Sequence, residues 1–266
     1  ICAVLLFLSI SPSSRAQGAT NFFLHGTGTD ANPPTLFLNI TTPTSSTAKY
    51  KDSTSVNYNG GNVWKEVGTW PANPVPSAGI LTALSSLHIW LGLKNSDDQG
   101  TNFDIRAEIS KNGTVVASGQ SLCITGITRN PANALEVAVP LASFPPEAFN
   151  GTSDGLSLKI LTRIGTNPDG TKCSGHNNAV GLRLYFGAAS RSSGFDAAIG
   201  IQNPVPTLLS PNPMSITVGA TGTLTASLSP TPNTSGVLTA NSSASNVATV
   251  LSPVLFNAGQ ETVPVP

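Results

Sequence analysis

Charged residues are scarce in this chain, and neither sign dominates. Of the 266 residues only 10% are charged, and 13 basic residues balance 13 acidic ones. A chain with no net charge and a pI near 7.0 lacks the basic surface that attracts phosphate backbones or anionic lipid headgroups. The composition therefore predicts neither nucleic acid nor a charged membrane surface as a partner.

Helical periodicity and long apolar runs are also missing. No stretch repeats apolar residues at helical spacing over three turns, which excludes helical bundles and βαβ units. The apolar run at residues 1–10 is too short to span a bilayer, so we expect no membrane span. Because Pro12 and the small-x-small sequence Ser14-Arg15-Ala16 follow it, we interpret residues 1–16 as a secretory signal peptide that is truncated at its start. A membrane anchor and a buried strand are the alternatives, and the signal predicts a secreted or cell-surface protein.

Cysteine and histidine are rare, with three of each. Without the signal segment two cysteines remain, Cys123 and Cys173, and in an oxidising compartment we expect them to form a disulfide. The histidines show no H-x-x-x-H or H-E-x-x-H spacing, and His176 alone is too little for a metal site with the cysteines. The sequence therefore predicts no cofactor.

One acidic loop is a weak calcium candidate. The segment NSDDQGTNFD, residues 95–104, offers oxygen ligands of the kind Ca²⁺ prefers. It does not follow the EF-hand spacing, and Asx-rich turns are common between strands. The candidate ligands are Asp97, Asp98, Asn102 and Asp104.

Period-two alternation of apolar and polar residues is abundant, together with 25 Gly and 21 Pro. In FDIRAEISKNGTVVASG, residues 103–119, the pair Asn112-Gly113 predicts a two-residue hairpin turn, with Lys111 opposite Thr114 and Ile109 opposite Val116. Similar alternation occurs in SLHIWLGLK, LEVAVPL, LSLKILTRI and GLRLYFG. Eight or more such strands predict an all-β fold, an antiparallel β-sandwich of jelly-roll or Ig-like topology over residues 20–201.

A Pro-rich segment separates this region from a C-terminal part of different composition. Residues 202–213 predict a stiff linker, and after it the only charged residue is Glu261. The segments ITVGATGTLTASLS, SSASNVATV and FNAGQETVPV resemble the bacterial Ig-like repeats of exported surface proteins. The resemblance covers residues 207–266 and implies a truncated Ig-like β-sandwich, with further domains of the same chain beyond Pro266. The first domain resembles accessory β-sandwich domains of secreted bacterial proteins only loosely.

The motifs for catalysis are weak. GTSDG, residues 151–155, fits the G-x-S-x-G pattern with Ser153, but that mechanism needs a strand before the serine and a helix after it. Here a strand follows, so a plain turn is favoured, and we expect no enzyme within this chain.

Aromatic side chains supply the remaining candidates for binding. Trp90 and His88 share the outward face of one strand, and Trp64 and Trp70 share one parity of WKEVGTW. Exposed rings stack on sugars, although loops and edges of a sandwich also cover such rings. We therefore predict an exported, non-catalytic module for display, adhesion or spacing at a surface, whose unknown ligand includes glycans among its candidates. The alternative is a carbohydrate-binding module of a larger polysaccharide-degrading enzyme.

Overall fold

The fold was analysed in a computed structural model. The structure describes residues 6–10, 19–27, 35–76, 79–150, 153–200, 205–211, 217–229, 231–232, 235–243, 245, 247–257 and 259–266.

Among these residues strands dominate, and the helical elements are two single 3₁₀ turns, Ser96–Asp98 and Pro131–Asn133. The predicted all-β class is confirmed. No helix in the described part is long and apolar enough to cross a membrane. The strands are β1 Leu6–Ile10, β2 Ala19–Thr27, β3 Thr35–Asn39, β4 Lys49–Asp52, β5 Val56–Asn57, β6 Lys65–Pro71, β7 Gly79–Leu84, β8 Leu87–Leu93, β9 Phe103–Lys111, β10 Thr114–Ile124, β11 Leu135–Val139, β12 Glu147–Phe149, β13 Leu156–Ile164, β14 Asn178–Ala179, β15 Leu182–Phe186, β16 Gly194–Gly200, β17 Val205–Ser210, β18 Leu224–Ser229, β19 Gly236–Ser242, β20 Val254–Phe256 and β21 Thr262–Val265.

The chain divides into two compact units. The larger unit comprises Gly18–Ser77 and Leu81–Ile199, and the smaller unit comprises Ile1–Gln17, Ala78–Ile80 and Gly200–Pro266. Each unit has its own cluster of buried apolar side chains. Each cluster therefore stabilises its own unit by the burial of apolar surface.

Two large sheets and the short antiparallel pair β5–β14 build the larger unit. One has four strands in the order β10-β9-β13-β6, and the other has nine strands with the path β12-β7-β16-β8-β15-β4. Strand β11 pairs with β8, and β2 joins β16 to β3. The predicted inward residues of three strands are fully or almost fully buried, which confirms the sandwich: Leu87, Ile89, Leu91, Leu93, Phe103, Ile105, Ala107, Ile109, Leu156, Leu158, Ile160 and Ile164.

The hairpin of β9 and β10 forms around the predicted turn. Asn112 and Gly113 have φ values of 49° and 83°, as a turn with two left-handed residues requires, and Lys111 lies opposite Thr114. Beyond that pair the prediction is wrong, because Ile109 faces Ala117 and not Val116. A β-bulge between Val115 and Ala117 inserts one residue into β10, and such a bulge shifts every later side chain by one place.

In the smaller unit, β17, β18 and β21 form one three-stranded sheet, and β1, β19 and β20 form another. Val205–Ser210, in the predicted linker, is strand β17 and pairs with β18, so this part of the linker prediction is wrong. Pro206 is tolerated because β17 is an edge strand. Leu6–Ile10 lies within the predicted signal peptide, and the structure pairs it with β19. The other residues of the predicted signal peptide, 1–5 and 11–16, lie outside the described residues.

Candidate functional site

Asp104 is a buried anchor in the larger unit. The alternation of apolar and polar residues in β9 predicted that Asp104 faces solvent, but its side chain is fully buried. Its carboxylate accepts hydrogen bonds from the Cys123 amide at 2.8 Å, from the Thr166 amide and hydroxyl at 2.9 and 2.7 Å, and from Arg163 Nε at 2.9 Å. A buried carboxylate is tolerated when its lone pairs are satisfied in this way. Asp104 therefore fastens the end of β10 and the segment after β13 to β9.

The predicted disulfide between Cys123 and Cys173 is confirmed. It joins the end of β10 to the loop that follows β13, and its Cα atoms are 6.0 Å apart. The same loop is held by the side-chain amide of Asn102, which donates to the Ser174 carbonyl and hydroxyl oxygens at 2.7 and 3.0 Å. The disulfide and the Asp104 network thus fix one end of the sandwich together.

The calcium candidates are committed to separate structural contacts. Asp98 is buried and accepts the Val180 amide with both carboxylate oxygens, at 3.1 and 3.0 Å. Asn102 and Asp104 have the partners given above, and Asp97 is exposed. Across the described ranges, no three His, Cys, Asp or Glu side chains cluster so that they could hold a metal ion.

The three tryptophans do not form a common platform. Trp70 is fully buried and meets Phe186 edge-on, with ring centroids 5.8 Å apart, so it is not available to a ligand and this part of the sugar-stacking prediction is wrong. The Arg163 guanidinium lies 4.3 Å from the ring centroid of Trp64, and the Arg191 guanidinium lies 4.5 Å from that of Trp90. Each half-buried indole therefore already has a cation over one face.

Ser153 and two of the histidines have different contact partners, and the third histidine is exposed. The Ser153 amide donates to the Asn150 carbonyl in a turn, and strand β13 follows it. Within the described residues, His25 contacts the Thr41 carbonyl, His88 approaches Glu136 at 3.4 Å and His176 is exposed. None of these histidines has a hydrogen bond to a serine or cysteine there. The pairing of a serine or cysteine nucleophile with a histidine base is therefore not seen among the described residues.

A shallow groove in the larger unit was not predicted from the sequence. Its volume is about 410 Å³, and strands β3, β4 and β6 contribute most of its lining. The lining combines hydroxyl, ammonium and carboxylate side chains with apolar side chains. The lining residues are Leu36, Lys51, Asp52, Thr54, Glu66, Val67, Gly68 and Thr69.

A buried ion pair builds one wall of this groove. Arg183 donates to both carboxylate oxygens of Asp52 at 2.7 and 2.8 Å, and its guanidinium lies 3.7 Å from the ring centroid of Tyr50. The hydrogen bond to Asp52 raises the pKa of Arg183 above its ordinary value. Both carboxylate oxygens of Asp52 are thereby engaged by the Arg183 guanidinium, and this bidentate pair helps to hold β4 against β15.

Gly68, one of the lining residues, has no room for a side chain. A Cβ atom at Gly68 would lie 2.7 Å from Leu36 Cδ1 and 2.9 Å from the Trp70 ring. Sequence reasoning missed the groove because its lining comes from three strands of two different sheets. The side chains offer donors and acceptors for a small polar molecule, and two of them are paired, since the Thr69 hydroxyl donates to Glu66 Oε1 at 2.8 Å.

No protein-family model matches the chain, and no curated protein matches its sequence. Solved structures do show a likeness. They include a CocE/NonD family hydrolase from Staphylococcus aureus (15% identity, TM-score 0.43), an aminopeptidase from a marine sediment archaeon, Thaumarchaeota archaeon (8%, 0.45), and an α-amino acid ester hydrolase (8%, 0.40). The matches cover 68–69% of this chain but only 36–37% of those proteins.

These findings correct three predictions. The resemblance to bacterial Ig-like surface repeats is wrong, because the similar solved structures are hydrolases and no family model matches. The predicted function in surface display, adhesion or spacing is wrong for the same reason. The prediction of no enzyme within this chain is contradicted as well, because the similar solved structures are named hydrolases, of which the match covers only about a third.

Proposed function

We propose that this chain is a β-sandwich module of a hydrolase whose reacting groups lie outside the described residues. The observation that supports a non-catalytic module is that, among the described residues, Ser153 lies in a turn and none of the three histidines has a hydrogen bond to it. That the module belongs to a hydrolase is a hypothesis suggested by the names of the similar solved structures. The experiment below tests it.

The contribution of the larger unit is then a rigid support. A disulfide, a fully hydrogen-bonded buried carboxylate and a bidentate ion pair hold its strands. Such a unit keeps its shape while a neighbouring domain binds and releases substrate.

The test uses the complete gene product. It is assayed with p-nitrophenyl esters and aminoacyl p-nitroanilides and then labelled with a fluorophosphonate, which marks activated serines. We expect hydrolysis, a label on a serine outside the described residues, and activity within about twofold of wild type for Ser153→Ala. The matched control converts the labelled serine to alanine and abolishes activity. A label on Ser153, or no hydrolysis of either substrate class, contradicts the proposal.

A further inference from the structure

The smaller unit takes one strand from far away in the sequence. Strands β17 to β21 all lie within residues 205–265, whereas β1 comes from residues 6–10. Strand β1 pairs with β19 over its whole length, from Leu6 opposite Ser242 to Ile10 opposite Leu238. Without β1, this sheet would consist of β19 and the three-residue strand β20.

Half of β19 depends on β1 for strand pairing. Strand β20 pairs only with Gly236, Val237 and Leu238. From Thr239 to Ser242, β1 is the only strand partner in the part of the chain that the structure describes. This half includes Ala240, which is 2% exposed and belongs to the core of the unit. Loss of β1 would therefore open a backbone edge directly beside buried apolar residues.

The register defines what fits this edge. Positions 6, 8 and 10 lie opposite Ser242, Ala240 and Leu238, and the last two of these are buried. Positions 7 and 9 lie opposite Asn241, which is exposed, and Thr239. Directly opposed residues of an antiparallel pair share one face of the sheet. The edge is thus matched to a strand with apolar residues at every second position.

Strand β1, which pairs with this edge, lies within the predicted signal peptide. Residues 1–16 have the apolar run and the small-x-small site of a secretory signal. If that signal is cleaved, the same chain loses its own β1 while β19 and the core remain.

We propose that the edge of β19 is a strand-acceptor site. Its ligand is an extended peptide that pairs antiparallel and carries apolar residues at alternate positions. The segment Leu6–Ile10 occupies the site as an exchangeable strand. This inference does not depend on the hydrolase proposal.

The test measures amide hydrogen exchange along β19 in the full chain. Leu8→Asp places a charge opposite Ala240, and Ser9→Asp, one residue further along, is the control opposite Thr239. The Ala240 amide donates to Ser252 Oγ at 3.1 Å, so the amides of Thr239 and Asn241 are the ones that face β1. We expect Leu8→Asp to speed exchange at Thr239 and Asn241 by roughly tenfold or more, while Ser9→Asp leaves it near wild type. Strands β9 and β13 should be unaffected in both variants.

Added peptide then distinguishes an acceptor site from simple unfolding. A peptide with the sequence LFLSI should restore the protection of β19 in Leu8→Asp, and LFSLI, in which Leu and Ser are exchanged, should not. The proposal is overturned if Leu8→Asp leaves β19 protected, if LFLSI restores nothing, or if both peptides restore protection equally.

Discussion

At the scale of single residues, Asp104 shows how a polar residue can be essential to a sandwich core. The alternation of apolar and polar residues in β9 predicted that Asp104, like Arg106 and Glu108, faces solvent. This prediction is wrong because four hydrogen-bond donors surround the Asp104 carboxylate inside the protein. The donors come from Cys123, Arg163 and Thr166, which are 19 to 62 residues away in sequence. No local pattern carries that information.

Asp104→Asn tests this anchor. The variant removes the negative charge and leaves Arg163, whose side chain is 23% exposed, without its ionic partner. We expect the free energy of unfolding to fall by about 3 kcal/mol, since breaking a buried pair costs more than the pair contributes. Urea unfolding at neutral pH measures the change. Asp97→Asn, on an exposed residue, should stay within about 0.5 kcal/mol of wild type, and a similar loss in both variants would contradict the role of Asp104.

Asp154 makes a pH-dependent contribution. The Asn150 amide at 2.9 Å and the Asn112 side-chain amide at 2.8 Å lower the pKa of Asp154 below its ordinary value of 3.8, and Lys111 adds to the effect. A carboxyl group whose pKa is depressed by folding stabilises the protein above the unfolded-state pKa. That contribution is lost as the pH falls through the lower pKa of the folded state.

Melting temperatures of wild type and Asp154→Asn should therefore differ at pH 7 and converge as the pH falls below about 4. A series of thermal melts between pH 7 and pH 2.5 measures the convergence. If the difference is constant over this range, the charge of Asp154 does not stabilise the fold.

At the scale of elements, the β9–β10 hairpin and the loop after β13 are joined at two places. Asp104 contacts the amide of Cys123 at the end of β10, and Cys123 is bonded to Cys173 in the loop. The turn of the hairpin was predictable because Asn-Gly favours left-handed backbone conformations. The bulge at Val115 was not, because it depends on how β10 packs on its neighbours.

Reduction of the disulfide should lower the melting temperature. The bond closes a loop of 50 residues, worth about 4 kcal/mol in the chain-entropy model, which corresponds to roughly 10 °C for a protein of this size. Calorimetry with and without a phosphine reductant measures the shift. The double variant Cys123→Ala/Cys173→Ala should melt at the reduced value and no longer respond, and an equal response of the double variant and wild type would refute the assignment.

At the scale of the whole molecule, two apolar clusters correspond to two units. The change of composition near residue 202 indicated such a division, but the structure builds the smaller unit from both ends of the sequence. Export of the protein and cleavage of residues 1–16 remain predictions, and the structure shows that Leu6–Ile10 of this segment pairs with β19.

The sequence alone determined the all-β class, the inward residues of the main strands, the hairpin turn and the partner of each disulfide cysteine. These follow from local spacing, turn chemistry and cysteine count, which act within a few residues or need no geometry. Tertiary structure alone decided the burial of Asp104 and Trp70, the cations over Trp64 and Trp90, the groove beside Asp52 and the pairing of β1. Each of these requires contacts between residues far apart in the chain, and packing of the sheets, not local alternation, selects those contacts.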